Sequence, residues 1–387
     1  MIRYLELDNY RSCQNLRIGL AEPVVALLGK NGVGKTNILH GIQIAAGLCA
    51  GRESEYLLDI NSHDSKKPIV IGLSFDIDGQ EFQYRVTLQR QNIKEILTRD
   101  SQKLFSRDGI DVSYLYDDGI EKKYQIGLRA ATVPTLLQIL SPSDQAVIAL
   151  SPVLSYLESV QYYALPYRFP EHIHHENSYI ETASYNAWKS SYLQDKKPGL
   201  SVQMRLLHLS LTDPSRFLEL KQLLGDNGLG IVSDIEIMPF QIPNKQIQGV
   251  SETTYIIIFV PGKQLAGAEK RFMLTGLSSG TVRVVEILTY LIFDKNSCIL
   301  LEQPEDSIHT GLLAKLIDIL RTYSGQTQLI CTTHSPRVIN ILAPSAVRLI
   351  TAEDGKTSAT ELSEHDLASA RTYIKNEGTF ADFLDTL

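Results

Sequence analysis

Long hydrophobic runs are missing from this 387-residue chain. No apolar stretch approaches the roughly 18 residues that a bilayer-spanning helix needs, and Met1-Ile2-Arg3-Tyr4-Leu5-Glu6 lacks the charged-then-apolar layout of a secretory signal. A cytoplasmic location with no membrane partner is therefore expected. Cysteine is scarce: Cys13, Cys49, Cys298 and Cys331 are the four, none of them paired as C-x-x-C. The last two sit in apolar runs, so they read as small buried residues. Positive charge is in deficit, with 37 Lys and Arg against 44 Asp and Glu, a net −7. The chain as a whole repels a phosphate backbone, which disfavours constitutive nucleic-acid binding through a broad basic face. A local basic groove formed on dimerisation stays open. Internal repeats and sustained heptads are also absent, which excludes a long coiled coil.

What is there is an ordinary globular composition, 43% hydrophobic and 21% charged, enough for a large core spread over about two or three subdomains. The most informative stretch is Gly29-Lys30-Asn31-Gly32-Val33-Gly34-Lys35-Thr36, directly after the apolar Val24-Val25-Ala26-Leu27-Leu28. This is a complete G-x-x-x-x-G-K-[ST] loop following a buried strand. Gly29, Gly32 and Gly34 let backbone N–H groups curl around phosphate oxygens where side chains would collide. Lys35 reaches the β and γ phosphates, Thr36 offers a hydroxyl to Mg²⁺, and the helix opening at Thr36-Asn37 aims its positive end at the same anion. Its apolar face is Ile38, Leu39, Ile42 and Ala45.

Elsewhere, Ile2 to Leu7 and Leu16 to Leu20 alternate like strands. Hairpin strands are expected at Ile69–Phe75, Phe82–Leu88, Ile93–Thr98, Lys103–Ser106 and Tyr124–Ile126, forming an antiparallel sheet. Thr132 to Ser159 turns helical, Gln161 to Leu165 is extended, and the aromatic-rich, proline-broken stretch from Pro166 to about Gly230 reads as a mostly helical insertion. Strand patterns return at Ile231–Ile237 and Thr254–Val260. The organisation expected is an N-terminal lobe (1–165), a mainly helical insertion (166–250), a C-terminal lobe (251–350) and an extension (351–387).

In the C-terminal lobe, Leu277-Ser278-Ser279-Gly280-Thr281 opens a helix striped with Val282, Val285, Leu288 and Leu291. A serine-glycine helix start suits an anion, and equally an ordinary capped turn. Cys298-Ile299-Leu300-Leu301 then delivers Glu302-Gln303-Pro304-Glu305, a carboxylate at a strand tip placed for Mg²⁺ or its water. Gln328 to Thr333 is another core strand, ending in His334-Ser335-Pro336. Glu171-His172-Ile173-His174-His175-Glu176 could bind a transition metal, but its spacing matches no standard zinc site, so it reads as a polar surface loop.

Phosphate loop, Ser-Ser-Gly, acid after a strand and His after a strand stand in the order used by the ATP-binding cassette (ABC) superfamily. With Asn9-Tyr10-Arg11-Ser12 before them, the chain resembles the RecF, SMC and OLD-like branch, and within it compact bacterial ATPases often met in anti-phage defence operons, whose motifs look like NFRSF, LSDGT, EEPE and THSP. The resemblance implies an α/β fold, the ABC-type ATPase head: a mixed sheet around the phosphate-loop helix, an antiparallel β-subdomain, a helical insertion and parallel core strands. It implies ATP and Mg²⁺ as cofactors, with Arg11, Ser12, Gly29, Asn31, Gly32, Val33, Gly34, Lys35, Thr36 and Asn37 around the nucleotide. It also implies a homodimer or higher even-numbered oligomer, because two heads sandwich ATP, with Ser278, Ser279, Gly280 and Thr281 of one meeting the nucleotide of the other. Glu302 would hold Mg²⁺ through water, and His334 would sense the γ-phosphate. The chain after Ile350 is too short for the nuclease domain of many OLD-like proteins, so a separately encoded effector, a nuclease above all, is the partner expected. DNA contact of the RecF kind and a pure ATP-dependent scaffold are the alternatives.

The departure from the family is Gln303, where a catalytic glutamate is expected. Glutamine has nearly the same shape but cannot accept the proton, so hydrolysis should be slow while ATP and Mg²⁺ binding persist. Either the natural protein is a slow or non-hydrolysing switch, or the glutamate was changed to trap the ATP-bound state; the intactness of every other motif favours the second. His309 stands near the usual D-loop aspartate, and Gln145 and Gln161 are the candidates for a Q-loop glutamine.

Overall fold

The computed structural model describes residues 1–52, 62–89, 92–115, 121–163, 179–195, 201–243, 251–262, 271–294, 296–323 and 327–386. In chain order the strands are β1 (Ile2–Asp8), β2 (Leu16–Gly19), β3 (Val24–Leu28), β4 (Ile69–Ile77), β5 (Gln80–Gln89), β6 (Asn92–Arg99), β7 (Gln102–Asp108), β8 (Asp111–Leu115), β9 (Glu121–Gln125), β10 (Val160–Tyr163), β11 (Tyr179–Glu181), β12 (Val232–Pro243), β13 (Ser251–Pro261), β14 (Cys298–Glu302), β15 (Gln328–Thr333), β16 (Val347–Glu353) and β17 (Lys356–Glu361). The helices are α1 (Lys35–Ala50), α2 (Thr132–Ile139), α3 (Gln145–Glu158), α4 (Thr182–Asp195), α5 (Val202–Thr212), α6 (Pro214–Leu224), α7 (Ser279–Asp294), α8 (Thr310–Tyr323), α9 (Pro336–Ile339), α10 (Glu364–Asn376) and α11 (Phe380–Leu384). By contacts the chain divides into two units, one of Met1–Ala164, Asn296–Pro304 and Ile319–Leu387, the other of Leu165–Lys295 and Glu305–Asp318. Among the described residues, no helix is long and apolar enough to cross a membrane.

The first unit is built on two sheets. Val24 to Leu27, Cys298 to Leu301 and Leu329 to Cys331 are buried throughout, which is why they read as unbroken apolar runs and not as alternation. They belong to a six-stranded sheet of order β10-β14-β15-β3-β16-β17, parallel up to β16 and closed by the antiparallel β17. Register pairs Glu302 with Thr332 and Thr333 with Leu28. The three central strands therefore end at one edge, where open α/β sheets place their ligands.

Gln328, 3% exposed, ties the other end of this sheet to the N-terminus. Its amide oxygen accepts from Ile2 N at 2.7 Å, and its Nε2 donates to the Ile2, Leu20 and Glu22 carbonyls. A buried amide is tolerated here because its hydrogen-bonding capacity is used.

The second sheet is an eight-stranded antiparallel array of order β2-β1-β4-β5-β6-β7-β8-β9. Asp78-Gly79 and Asp100-Ser101 turn its hairpins with positive φ at both central residues, the turn whose twist matches paired strands. Strand β8 adds to the hairpins expected from alternation. One apolar cluster joins α1 to both sheets, with Ile38, Leu39, Ile42 and Ala45 fully buried beside Leu5, Leu7, Ile71, Leu300 and Ile330. Gly41 is the point of closest approach: a Cβ there would stand 2.6 Å from Leu7 Cδ2.

Charge also enters this core. Glu95 and Arg107, 2% and 1% exposed at the side chain, pair at 3.0 Å between β6 and β7. Arg107 further donates to the carbonyls of Gly109, Gly127, Leu128 and Ala130, while Glu95 accepts from Tyr84 Oη at 2.6 Å and Thr132 Oγ1 at 2.5 Å. The network stitches the chain entering α2 to the face of the sheet.

The second unit holds a three-stranded antiparallel sheet, β11-β13-β12, and helices α4 to α7. The short strand β11 pairs with β13. Helix α7 is buried continuously from Val282 to Phe293, its polar Arg283, Glu286 and Thr289 included. Arg205 is 1% exposed at the side chain, donates to both carboxylate oxygens of Asp294 at 3.2 Å and lies 4.8 Å over the Tyr290 ring. The Glu171 to Glu176 histidine cluster lies outside the described residues.

Candidate nucleotide-binding site

The turn after β3 has the conformation its glycines foretell. Gly32 and Gly34 adopt φ of 83° and 100°, and α1 begins immediately beyond, with Gly34 as its N-cap. The first backbone N–H groups of α1 face the loop with no earlier helical carbonyl to receive them. Lys35 Nζ folds back across it, donating to the Gly29 carbonyl at 2.6 Å and the Lys30 carbonyl at 2.8 Å. Its ammonium is thereby held over the ring of N–H groups, where an anion completes the arrangement. Lys35→Ala is expected to weaken ATP binding by about 100-fold, the range for removing one partner of a close charge pair, measured by titration with a fluorescent ATP analogue.

Asn9, Arg11 and Asn15 take positive φ of 55°, 49° and 53°, so the N-terminal motif is a tight, specified turn. Asn9 Nδ2 donates to the carbonyls of Asp64, Lys67 and Pro68, and its Oδ1 accepts from Asp64 N. Asn37 joins this turn to α1: its Nδ2 donates to Ser12 Oγ at 2.8 Å and its Oδ1 accepts from Arg11 Nη1 at 3.1 Å.

Thr357 of β17 closes the group from below. Its Oγ1 donates to the Val33 carbonyl at 2.8 Å and lies 2.7 Å from Ser12 Oγ. A Cβ on Gly34 would run into that hydroxyl. Beside it, burial pushes the Cys13 thiol up to about 11, so this cysteine is an inert filler.

At the tips of β14 and β15 the remaining motif residues of this unit come together. Gln303 has a left-handed backbone, φ 41°, pinned by its N–H donating to the Thr332 carbonyl at 3.1 Å. Its Nε2 lies 2.9 Å from His334 Nδ1. Glu302, one residue earlier, faces Tyr162 on the adjacent β10, and its carboxylate adds to the burial that raises the Tyr162 pKa. With the Thr36 hydroxyl, the donor set is all oxygen, which suits Mg²⁺ held by one or two protein ligands plus phosphates. Among the described residues no cluster of three His, Cys, Asp or Glu forms a dedicated cage, so the cation fits here as a partner of the phosphates.

Ser278 to Thr281 belong to the second unit. Ser278 is exposed and caps α7: its Oγ accepts from Thr281 N at 3.3 Å and lies 2.9 Å from Thr281 Oγ1. Ser279 is exposed too, whereas Gly280 is buried, and a Cβ on it would strike the Ser307 carbonyl. Its smallness thus has a local structural reason. Of the two Q-loop candidates, Gln145 opens α3 and Gln161 Nε2 donates to the Glu158 carbonyl at 2.9 Å. Tyr162, His40 and Thr357 were not legible as site residues, because nothing in their local pattern reveals which distant residue each meets.

Residues 24–152 and 166–340 match the model of the family described as "AAA domain, putative AbiEii toxin, Type IV TA system". A 54-residue stretch is 43% identical to the DNA replication and repair protein RecF of Acholeplasma laidlawii (strain PG-8A), covering 14% of this chain and 16% of that protein's length. In fold, the chain is similar to an SMC head crystallised with the C-terminal winged-helix domain of ScpA (TM-score 0.54, 13% identity, 95% of this chain and 99% of the other). It is similar also to an SMC head domain with an extended coiled coil bound to the C-terminal domain of ScpA derived from Pyrococcus furiosus (0.52, 12%, 97% and 99%). The chain belongs to that AAA-domain family, and its fold is that of an SMC head.

Proposed function

We propose that the chain binds ATP with Mg²⁺, dimerises head to head around it, hydrolyses it slowly, and so acts as a switch on a separately encoded effector. The observation that carries the reading is the convergence of Gly29–Thr36, Glu302, Gln303 and His334 at one edge of three adjoining parallel strands. Lys35 and the N–H groups opening α1 would cradle the β and γ phosphates. Thr36 and Glu302 would hold Mg²⁺, which neutralises phosphate charge when bound. Gln303 can accept a hydrogen bond from the attacking water and orient it, but its amide takes no proton, so turnover lacks a general base.

Ser278 and Ser279 are exposed at the start of a 16-residue helix, the form in which one head would offer donors to the nucleotide of a second. Unmodified protein is therefore expected to double its mass with ATP and Mg²⁺ in size-exclusion light scattering, and Lys35→Ala or Ser278→Arg to stay monomeric. A wild-type protein that stays monomeric when loaded overturns the reading. The family's description names a type IV toxin–antitoxin system, which supports a two-component arrangement; a nuclease is the effector class we propose. A toxin or nuclease reading frame beside the gene would add to it.

The likeness to a RecF protein over 54 residues favours one second reading, a DNA-repair ATPase that binds duplex DNA across the dimer. DNA-stimulated phosphate release with steep salt dependence would establish it, against the opposing net charge of −7.

A further inference from the structure

Two side chains beside the nucleotide site have no part in the motifs. His40 lies on α1, one turn beyond Thr36, and Tyr162 lies on β10, paired in register with Leu300 of β14. Arg11 Nη1 donates to both Asn37 Oδ1 at 3.1 Å and His40 Nδ1 at 2.8 Å. A guanidinium only donates, so Nδ1 of His40 is an acceptor and the neutral ring carries its hydrogen on Nε2. Burial and the neighbouring Arg11 both lower the His40 pKa, against a smaller opposing effect of Glu302.

With Nη1 occupied and the guanidinium carbon 5.3 Å from the Tyr10 ring centroid, Arg11 is fixed in direction. Among the described residues its Nη2 and Nε hydrogens have no acceptor, and they are the ones available to a phosphate. On the other side, Tyr162, in register with Leu300, lies on the same face of the sheet as Glu302, whose carboxylate adds to the burial that raises the Tyr162 pKa. The two aromatic rings meet edge to face, with centroids 4.9 Å apart and planes at 70°.

We propose that His40 and Tyr162 are positioning residues that join Arg11, on the phosphate side, to Glu302, on the cation side, into one rigid unit. The proposal rests on the reading of this site as an ATP–Mg²⁺ site. His40 holds Arg11 through a directed hydrogen bond, Tyr162 stands against the Glu302 carboxylate, and the edge-to-face contact means neither ring can turn without disturbing the other. Loss of one ring's support should then act mainly at its own end of the site and, through the ring contact, to a smaller extent at the other.

The test is a titration of the full chain with a fluorescent ATP analogue, with and without Mg²⁺, together with a Mg²⁺ titration at fixed analogue and an unfolding midpoint without ligand. His40→Ala should weaken ATP binding about 10-fold, and His40→Asn, whose Oδ1 replaces Nδ1 as acceptor, should restore most of it. Tyr162→Phe should raise the Mg²⁺ concentration for half-saturation about 10-fold, the lower end for losing such a supporting partner, with a much smaller change in cation-free affinity. The double variant should lose less than the product of the two single losses, the signature of coupled residues. His40→Asn and Tyr162→Phe keep the test open should His40→Ala fail to fold. Strict additivity, or unchanged binding by His40→Ala while the wild type binds and Lys35→Ala does not, overturns this proposal alone. A wild type that binds no ATP overturns it together with the function it rests on.

Discussion

Replacing Gln303 with glutamate is expected to speed phosphate release by about 10²–10⁴-fold, the usual contribution of a positioned general base. The substitution changes one amide nitrogen to an oxygen, so the left-handed turn at φ 41° and the hydrogen bond from Gln303 N to the Thr332 carbonyl are kept. What changes is that the side chain can take the proton of the attacking water. His334 Nδ1, 2.9 Å from the Gln303 amide nitrogen, would then hold a carboxylate in place of an amide. Steady-state phosphate release at saturating ATP and Mg²⁺ reads the gain directly, and equal rates for both proteins would remove Gln303 from the catalytic position. Nucleotide affinity should move little, because in the proposed site the phosphates would be held by Lys35 and the loop backbone.

Removing the Arg107 side chain is expected to be the most damaging single change to stability. Arg107→Met leaves the Glu95 carboxylate charged, buried and short of its main partner, and strands the carbonyls of Gly109, Gly127, Leu128 and Ala130. Breaking a buried pair from one side costs about 3–5 kcal/mol. Arg107→Lys should rescue little, since one ammonium cannot span the acceptors that the planar guanidinium reaches. Arg107→Met with Glu95→Leu should recover part of the loss by removing the stranded charge, leaving the carbonyl deficit. Urea-induced unfolding followed by circular dichroism measures all three, and a loss under about 1 kcal/mol for Arg107→Met would show the network to be marginal.

These two residues illustrate what the sequence discloses and what it conceals. The phosphate loop, the strands Cys298–Glu302 and Gln328–Thr333 and the α1 face were legible because period and spacing are local properties. Gln303 stood out because it departs from a pattern otherwise kept. Arg107, by contrast, looks like any charged residue on an alternating strand, and only the path of residues 127–130 across it makes it a keystone. Gln328 reads as a polar strand residue until its partners Ile2, Leu20 and Glu22 are known. The hairpin β16–β17 lies in the stretch that reads as an extension, with Asp354-Gly355 turning it at φ of 48° and 73°. Its importance lies in Thr357 meeting Val33, a contact spanning most of the chain. Such contacts are written in the topology, where pairing of distant strands brings together residues with no shared local signal.

The strand order carries a consequence for synthesis. β3 lies between β15 and β16, so the nascent polypeptide makes its phosphate loop long before the two strands that flank β3. Until those strands arrive, Val24 to Leu28 have neither edge paired, and Thr357 cannot yet support Val33. Translation must pass β17 before the loop is braced, so a chain stopped short of it would have little grip on cellular nucleotide, and such sequence-distant pairings are of the kind that slow folding.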